Sequence, residues 1–417
     1  MKTKGIRLYG TNDIRLEEFE LPEITEEEVL IRVVSDSVCA STYKAIIQGA
    51  AHKRVPNDIA ENPVIIGHEL CGEIIQVGQK VQDSWNVGQK VVVQPALKLP
   101  TGYDVGYSYP QIGGNTVYAV VPKVVLERGC LLPYEGDAYF KGSLCEALAC
   151  IIRGYKGLYH TDYSNYERTD GAKVGGKIAI LGGAGPMGIG AVELAIGYAG
   201  AKTVVVTDLN QDRLDFAAKM VPVARAAEKG VDLHYVNTSA MADPVTELLA
   251  LSEGGFDDVF VMVPVPALFT MAEQLCCEDG CINFFAGPPV HDLQGSLNLY
   301  RVHYDGIHVV GTAGSIPVDM TDIIHLIEQD KINPGALVSH ILGLTAAEET
   351  LFAMASPNGA KKVCYNELDL PLIAVADLAK LGETNELYRA LAEIVQRNGG
   401  VWCAEAEEYL LANGPRL

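Results

Sequence analysis

The sequence lacks any apolar run of the roughly 18 residues that a membrane-spanning helix needs, so no spanning segment is expected. Its first residues, Met1-Lys-Thr-Lys-Gly-Ile-Arg-Leu8, contain no apolar stretch of the kind that marks a secretory signal, and a cytoplasmic protein is the resulting expectation. Positive charge is in short supply. The 32 Lys and Arg stand against 53 Asp and Glu, a net charge of −21. So acidic a chain is repelled by nucleic acid and by anionic membranes, which removes both as expected partners. The ten cysteines are scattered, without repeated C-x-x-C pairs, and are expected mostly as buried apolar residues, not disulfides. No internal repeat and no low-complexity segment is present. What remains is 417 residues, 48% hydrophobic and 20% charged, ordinary for a soluble globular chain of two or more domains.

The most informative stretch is Lys177-Ile-Ala-Ile-Leu-Gly-Gly-Ala-Gly-Pro-Met-Gly188. An apolar run ends in Gly183-x-Gly185-x-x-Gly188, small helix-forming residues follow to Ala199, and Thr203-Val-Val-Val-Thr-Asp208 ends a second apolar run in an acid. Gly183 is expected at a tight turn. Gly185 lets a pyrophosphate approach the backbone, and Gly188 lets the helix lie close on the strand. The open N–H groups of that helix start, with Pro186 and Met187 in its first turn, hold phosphate. Asp208, 20 residues after Gly188, is where a carboxylate accepts hydrogen bonds from an adenosine ribose. That carboxylate repels a 2′-phosphate, which favours NAD over NADP.

Three regions differ in period. Residues 1 to about 150 read as short strands punctuated by Pro, Gly and Asn, among them Glu28 to Ser35, Cys71 to Gly78 and Gln89 to Gln94. From about 151 to 315, further strands at 234–238, 258–263, 281–286 and 308–311 alternate with helical stretches, as in a doubly wound parallel sheet. From 316 the chain shows a helix at 320–329, the segment Ala360-Lys-Lys-Val-Cys-Tyr365, and an α/β tail over 369–417 without visible chemistry.

The strand-rich region carries Cys39, then Gly67-His68-Glu69, then Glu146. Thiolate, imidazole and carboxylate are the donors zinc prefers, and an incompletely closed set is the mark of a catalytic site. Singly, each is more often a packing residue. Ahead of a nucleotide fold, the set resembles the zinc-dependent medium-chain alcohol and polyol dehydrogenases, over roughly residues 1–365.

That resemblance implies an α/β chain with a GroES-like catalytic domain at 1–150, a Rossmann NAD-binding domain at 151–315, a return to the catalytic domain at 316–368, and a C-terminal α/β extension at 369–417. It implies Cys39, His68 and Glu69 at the metal, with Glu146 reaching zinc directly or through its water. Ser41 resembles the hydroxyl that passes the substrate proton outward. Arg213 resembles a contact to the adenosine end, and Val263 and Thr312 resemble contacts to the nicotinamide. Two departures matter. Gln94 to Tyr118 holds no cysteine, so the second, structural zinc of many members is not expected. Lys44 stands where a relay histidine is common; with its far higher reference pKa it suits an anion better than a relay.

The segments Cys39-Ala-Ser-Thr-Tyr-Lys-Ala45, Gly49 to Pro56 and Tyr134-Glu-Gly-Asp-Ala-Tyr-Phe140 resemble the L-sorbose 1-phosphate reductase branch, which implies a phosphorylated ketose or polyol. Lys44, Lys53 and Arg54 are the candidates for its phosphate. The family commonly forms dimers or tetramers, so a homodimer or homotetramer is expected. The alternatives are a zinc dehydrogenase of an unphosphorylated polyol or amino alcohol, a zinc-free enone or quinone reductase, and a non-catalytic nucleotide-binding protein.

Overall fold

The structure, a computed structural model, describes residues 1–288, 291–355 and 359–417. Eight strands come first: β1 (Lys2–Gly10), β2 (Asp13–Glu20), β3 (Val29–Val38), β4 (Val64–Ile65), β5 (Leu70–Val77), β6 (Lys90–Val93), β7 (Tyr118–Val121) and β8 (Leu131–Pro133). A hairpin of β9 (Tyr159–Asp162) and β10 (Glu167–Asp170) follows. Then come β11 (Lys177–Leu181), β12 (Thr203–Asp208), β13 (Asp232–Asn237), β14 (Phe256–Val261), β15 (Cys276–Phe284) and β16 (His308–Gly311). The last strands are β17 (Val338–Gly343), β18 (Lys361–Tyr365) and β19 (Ile373–Ala374). One compact unit comprises Met1–Ala147, Ser315–Glu328 and Val338–Leu417; the other comprises Leu148–Gly314 and Gln329–Leu337.

In the first unit β1 pairs with β2 and β4, and a larger sheet runs β19-β17-β18-β3-β5-β6-β8, with β7 also on β3. β3 is buried on both faces, Ser35, Asp36 and Ser37 included, and only Arg32 is partly exposed. Val29, Ile31 and Val33 pack with Leu70, Ile74, Val91 and Val93 in one core, while Ile6, Leu8, Ala45, Ile46 and Leu342 build a second. β18 returns from late in the chain to lie antiparallel on β3, Tyr365 opposite Ser35 and Val363 opposite Ser37. Residues 369–417 pack into this same unit. Trp402 is fully buried, and its indole N–H donates to the Tyr365 hydroxyl at 2.8 Å.

The second unit is a parallel sheet in the order β13-β12-β11-β14-β15-β16. β14 is buried throughout and β11 nearly so, the near-continuous apolar run of parallel strands covered on both faces. The order reverses between β11 and β14, so the crevice opens at the C-terminal ends of those strands. β14 ends at Val261, two residues earlier than its sequence suggests, before Pro264 and Pro266, which have no N–H to give a ladder. Among the described residues, no helix is long and apolar enough to cross a membrane.

Candidate active site

Cys39 immediately follows β3 and is the N-cap of the helix Ala40–Gln48; His68 and Glu69 immediately precede β5. β3 and β5 are antiparallel neighbours, with Asp36 opposite Leu70, so the sheet itself brings these chain positions together. One ligand atom from each of Cys39, His68 and Glu69 lies within 4.8 Å of the others. Sulfur, nitrogen and oxygen donors gathered from two adjacent strands fit a zinc ion. Burial holds the His68 imidazole below its usual range, which keeps it in the neutral, metal-binding form. Burial, and then the Glu69 charge, push the Cys39 thiol up to about 12; a bound cation reverses this, because a coordinated thiol is deprotonated.

The supporting residues were not visible in the sequence. Lys361, from β18, donates to both oxygens of Glu69 at 2.6 Å, with both side chains almost fully buried. Burial works against charge on both groups, yet their attraction holds Glu69 below and Lys361 above the ordinary range. Two lysines at the start of β18, Lys361 and Lys362, are the signal that could have found it, since a lysine buried in a sheet needs a partner. The backbone N–H of Glu69 donates to Asp36 at 3.1 Å, and Asn115 donates to the other Asp36 oxygen at 2.8 Å. Gly67 is required here. Its φ is +91°, and a Cβ would sit 2.7 Å from the Asn115 nitrogen.

Thr42 Oγ1 lies 3.1 Å from His68 Nδ1, and the Tyr107 hydroxyl lies 3.4 Å from Nε2. Tyr107 links this cluster to a cationic one. Its ring packs on His68 at 4.9 Å, stacks on His52 at 5.7 Å, and lies under the Arg54 guanidinium at 5.1 Å. Burial, then the charges of Arg54, Lys53 and Lys44, depress His52 to about 4. All three basic residues singled out in the sequence therefore act on one imidazole. Lys44 and Lys53 are exposed, whereas Arg54 is ion-paired to Asp104 at 2.7 Å. Ser41 is half-buried and donates its backbone N–H to the Cys39 sulfur. Glu146, in the first turn of the helix Cys145–Lys156, is outside the three-ligand group, but its charge acts on Cys39, His68 and Lys361.

In the second unit, the expected nucleotide residues lie at or after the C-terminal ends of four strands, β11, β12, β14 and β16. The turn after β11 differs in one detail from its expected form. The left-handed residue is Gly182 (φ +69°), whereas Gly183 is needed for space, its Cβ position lying 2.6 Å from Ile180 Cγ2. Gly185 caps the helix Pro186–Gly197 with nothing within 4 Å of its Cβ position, and a Cβ on Gly188 would meet the Gly183 carbonyl at 2.0 Å. Asp208 ends β12; its Oδ1 accepts the Leu209 and Asn210 N–H groups at 2.8 and 3.1 Å. Arg213 is exposed on the next helix. Val263 follows β14 and packs against Gly182. Thr312 follows β16, and its hydroxyl is buried without a hydrogen-bond partner.

Residues 25–128 match the alcohol dehydrogenase GroES-like domain, and residues 186–329 match the zinc-binding dehydrogenase domain. The sequence is 44% identical over 412 residues to mannitol-1-phosphate 5-dehydrogenase of Aliivibrio fischeri, covering 98% of this chain and 97% of that one. It is 42% identical over 414 residues to L-sorbose 1-phosphate reductase of Klebsiella pneumoniae, covering 99% and 98%. The fold resembles 2R,3R-butanediol dehydrogenase of Bacillus subtilis with a TM-score of 0.70, at 22% identity, over 87% of this chain and 99% of that one. The chain belongs to the zinc-dependent medium-chain alcohol and polyol dehydrogenase family, and is an oxidoreductase.

Proposed function

We propose that this chain interconverts a secondary alcohol and a ketone on a sugar or polyol phosphate, such as L-sorbose 1-phosphate, with one catalytic zinc and NAD(H). The observation that carries this reading is Tyr107, which touches the metal-ligand cluster through His68 and the cationic cluster through His52 and Arg54. A net charge of −21 opposes an anionic substrate, so a local group of lysine and arginine beside the ligands has a specific use in holding phosphate. The names of the two relatives, both 1-phosphate enzymes, support the same substrate class.

Cys39, His68 and Glu69 would hold the zinc, with Glu146 beside them; bound zinc supplies Lewis-acid polarisation of the substrate oxygen. The rest is done by side chains. A proton on His68 Nδ1 donated to Thr42 leaves Nε2 for the metal. Lys361 orients Glu69. Ser41 passes the substrate proton outward, while Lys44, Lys53 and Arg54 face the phosphate. Gly183, Gly185, Pro186, Met187 and Gly188 receive the pyrophosphate, and Asp208, with Arg213 nearby, the adenosine ribose. Val263 and the unpartnered hydroxyl of Thr312 meet the nicotinamide. In this reading residues 1–150 and 316–368 are the catalytic domain, 151–315 the nucleotide domain and 369–417 its extension. The ten free cysteines suit a reducing, cytoplasmic setting. The exposed edge residue Val309, with Leu299, Tyr300 and Tyr304, is a surface suited to a homodimer.

The test is turnover of ketose and polyol phosphates, and of their unphosphorylated counterparts, with NADH or NADPH (NAD or NADP in oxidation). Phosphate esters with NADH should dominate. Lys53→Ala should lower kcat/KM about 10-fold for the phosphate ester and little for the free sugar, the worth of one charge-assisted hydrogen bond. Equal losses on both substrates would refute the phosphate reading, and a strong NADPH preference would refute that of Asp208.

A further inference from the structure

Glu407, in the helix Ala404–Asn413, is a carboxylate buried to 3% exposure. Its oxygens accept the backbone N–H groups of Tyr139 and Phe140, the latter at 2.8 Å, and the Tyr365 hydroxyl at 3.0 Å. Tyr365 is fixed in turn by the indole N–H of Trp402 at 2.8 Å. The helix Tyr139–Ser143 has Ala138 as its N-cap and no side-chain cap of its own, so Glu407 satisfies the open first-turn donors. Burial pushes the Glu407 carboxyl up to about 7. Lys90, whose charge acts on it, donates its own hydrogen bond to the Gly136 carbonyl at 2.6 Å. Burying an acid is unfavourable, and an apolar residue would fill this space without that penalty.

Three paths run from this carboxylate to the metal-ligand cluster, all inside the first unit. The capped helix continues through Leu144 to Glu146. Its Gly142 lies against β5, where a Cβ would come within 2.4 Å of the sulfur of Cys71, two residues beyond Glu69. On β18, Tyr365 and Lys361 share one face at period two, and Lys361 grips Glu69. Glu407 thus ties the helix that leads into Glu146 to the strand that carries Lys361.

We propose that Glu407 is a positioning residue for the metal cluster: by capping Tyr139–Ser143 and holding Tyr365, it fixes both the segment that leads into Glu146 and the Lys361 strand, and this is what residues 369–417 contribute to the site. The inference rests on the metal-site reading above.

The test uses the full chain as wild type, Glu407→Gln, Glu407→Ala and Leu391→Ala. The last variant removes a buried side chain from the helix Glu386–Arg397 while leaving the Glu407 hydrogen bonds in place. Zinc affinity is measured by chelator competition, and ligand geometry by the visible spectrum of the cobalt(II)-substituted protein. Glu407→Ala should weaken zinc about 10-fold, as removal of outer support does at other metal sites, and shift the cobalt bands. Glu407→Gln, which keeps the shape and one acceptor oxygen, should fall between; it carries the test alone if the alanine variant does not fold. Leu391→Ala should bind zinc as wild type does. Unchanged affinity and spectrum in the folded Glu407 variants would overturn the proposal, as would an equal loss in Leu391→Ala. A wild-type chain that takes up no zinc would instead overturn the metal-site reading.

Discussion

Replacing Lys361 by methionine removes the cation bonded to the buried Glu69 carboxylate and leaves the stem volume nearly unchanged. The pair stands at 2.6 Å through both oxygens, with side-chain exposures of 6% and 1%, so solvent screens it little. At an effective dielectric of about 20 the attraction at this distance is about 6 kcal/mol. Breaking a buried pair from one side costs about 3–5 kcal/mol, because the remaining charge stays buried without compensation. The chain has two tryptophans, Trp85 and Trp402, and both lie in the first unit, so indole fluorescence in urea reports that unit alone. In metal-free protein, Lys361→Met should lose about 3–5 kcal/mol by this assay. The double variant Lys361→Met/Glu69→Gln should regain most of it, since it removes both charges. Saturating zinc should shrink the deficit of the single variant, because the ion gives Glu69 a second cation. A loss below about 1 kcal/mol, or a double variant worse than the single one, would refute this account.

A second titration lies elsewhere. His160 Nε2 sits 3.1 Å from Asp258 and its Nδ1 3.4 Å from Asp279. Burial opposes its charge, but the Asp258 hydrogen bond and both carboxylates outweigh burial and Lys173 and raise its pKa. A raised histidine adds stability that is fully present below about pH 6.5 and is lost as pH rises through the folded value. Hydrogen exchange of β14 and β15 should therefore quicken as pH rises above about 6.5, beyond its chemical rate, and His160→Gln should abolish that excess; an identical slope in the variant would contradict it. At the glycine turn, the Cβ of Gly188→Ala would meet a backbone carbonyl at 2.0 Å, which no side-chain rotation relieves. Calorimetric titration should show NAD binding weakened at least ~10-fold, the pyrophosphate having lost its backbone seat; wild-type affinity would show that the turn relaxes freely.

What the sequence made legible was chemistry written in residue type and local spacing. Cys39 and His68-Glu69 announce a metal because few other roles need those donors together, and the glycine turn with Asp208 announces a dinucleotide because each position has its own steric reason. Partners supplied by tertiary pairing were illegible. Lys361 lies 292 residues from Glu69 and meets it only because β18 docks on β3. Tyr107 comes from an irregular loop without period. The positive φ fell on Gly182 because adjacent glycines cannot be told apart by pattern alone. The tail of the chain looked inert because Glu407 reads as one more acid on a polar helix, and only its burial gives it meaning.

The 292-residue separation of Glu69 and Lys361 also sets an order of events during synthesis. At about 5–20 residues per second, the ribosome needs roughly 15–60 s to deliver the lysine after the glutamate. Throughout that interval β3 has an open edge where β18 will pair, and Glu69 has no ammonium beside it. The larger segment of the second unit, Leu148–Gly314, is also made within that interval. The Lys361–Glu69 pair can therefore form only after most of the molecule has been made.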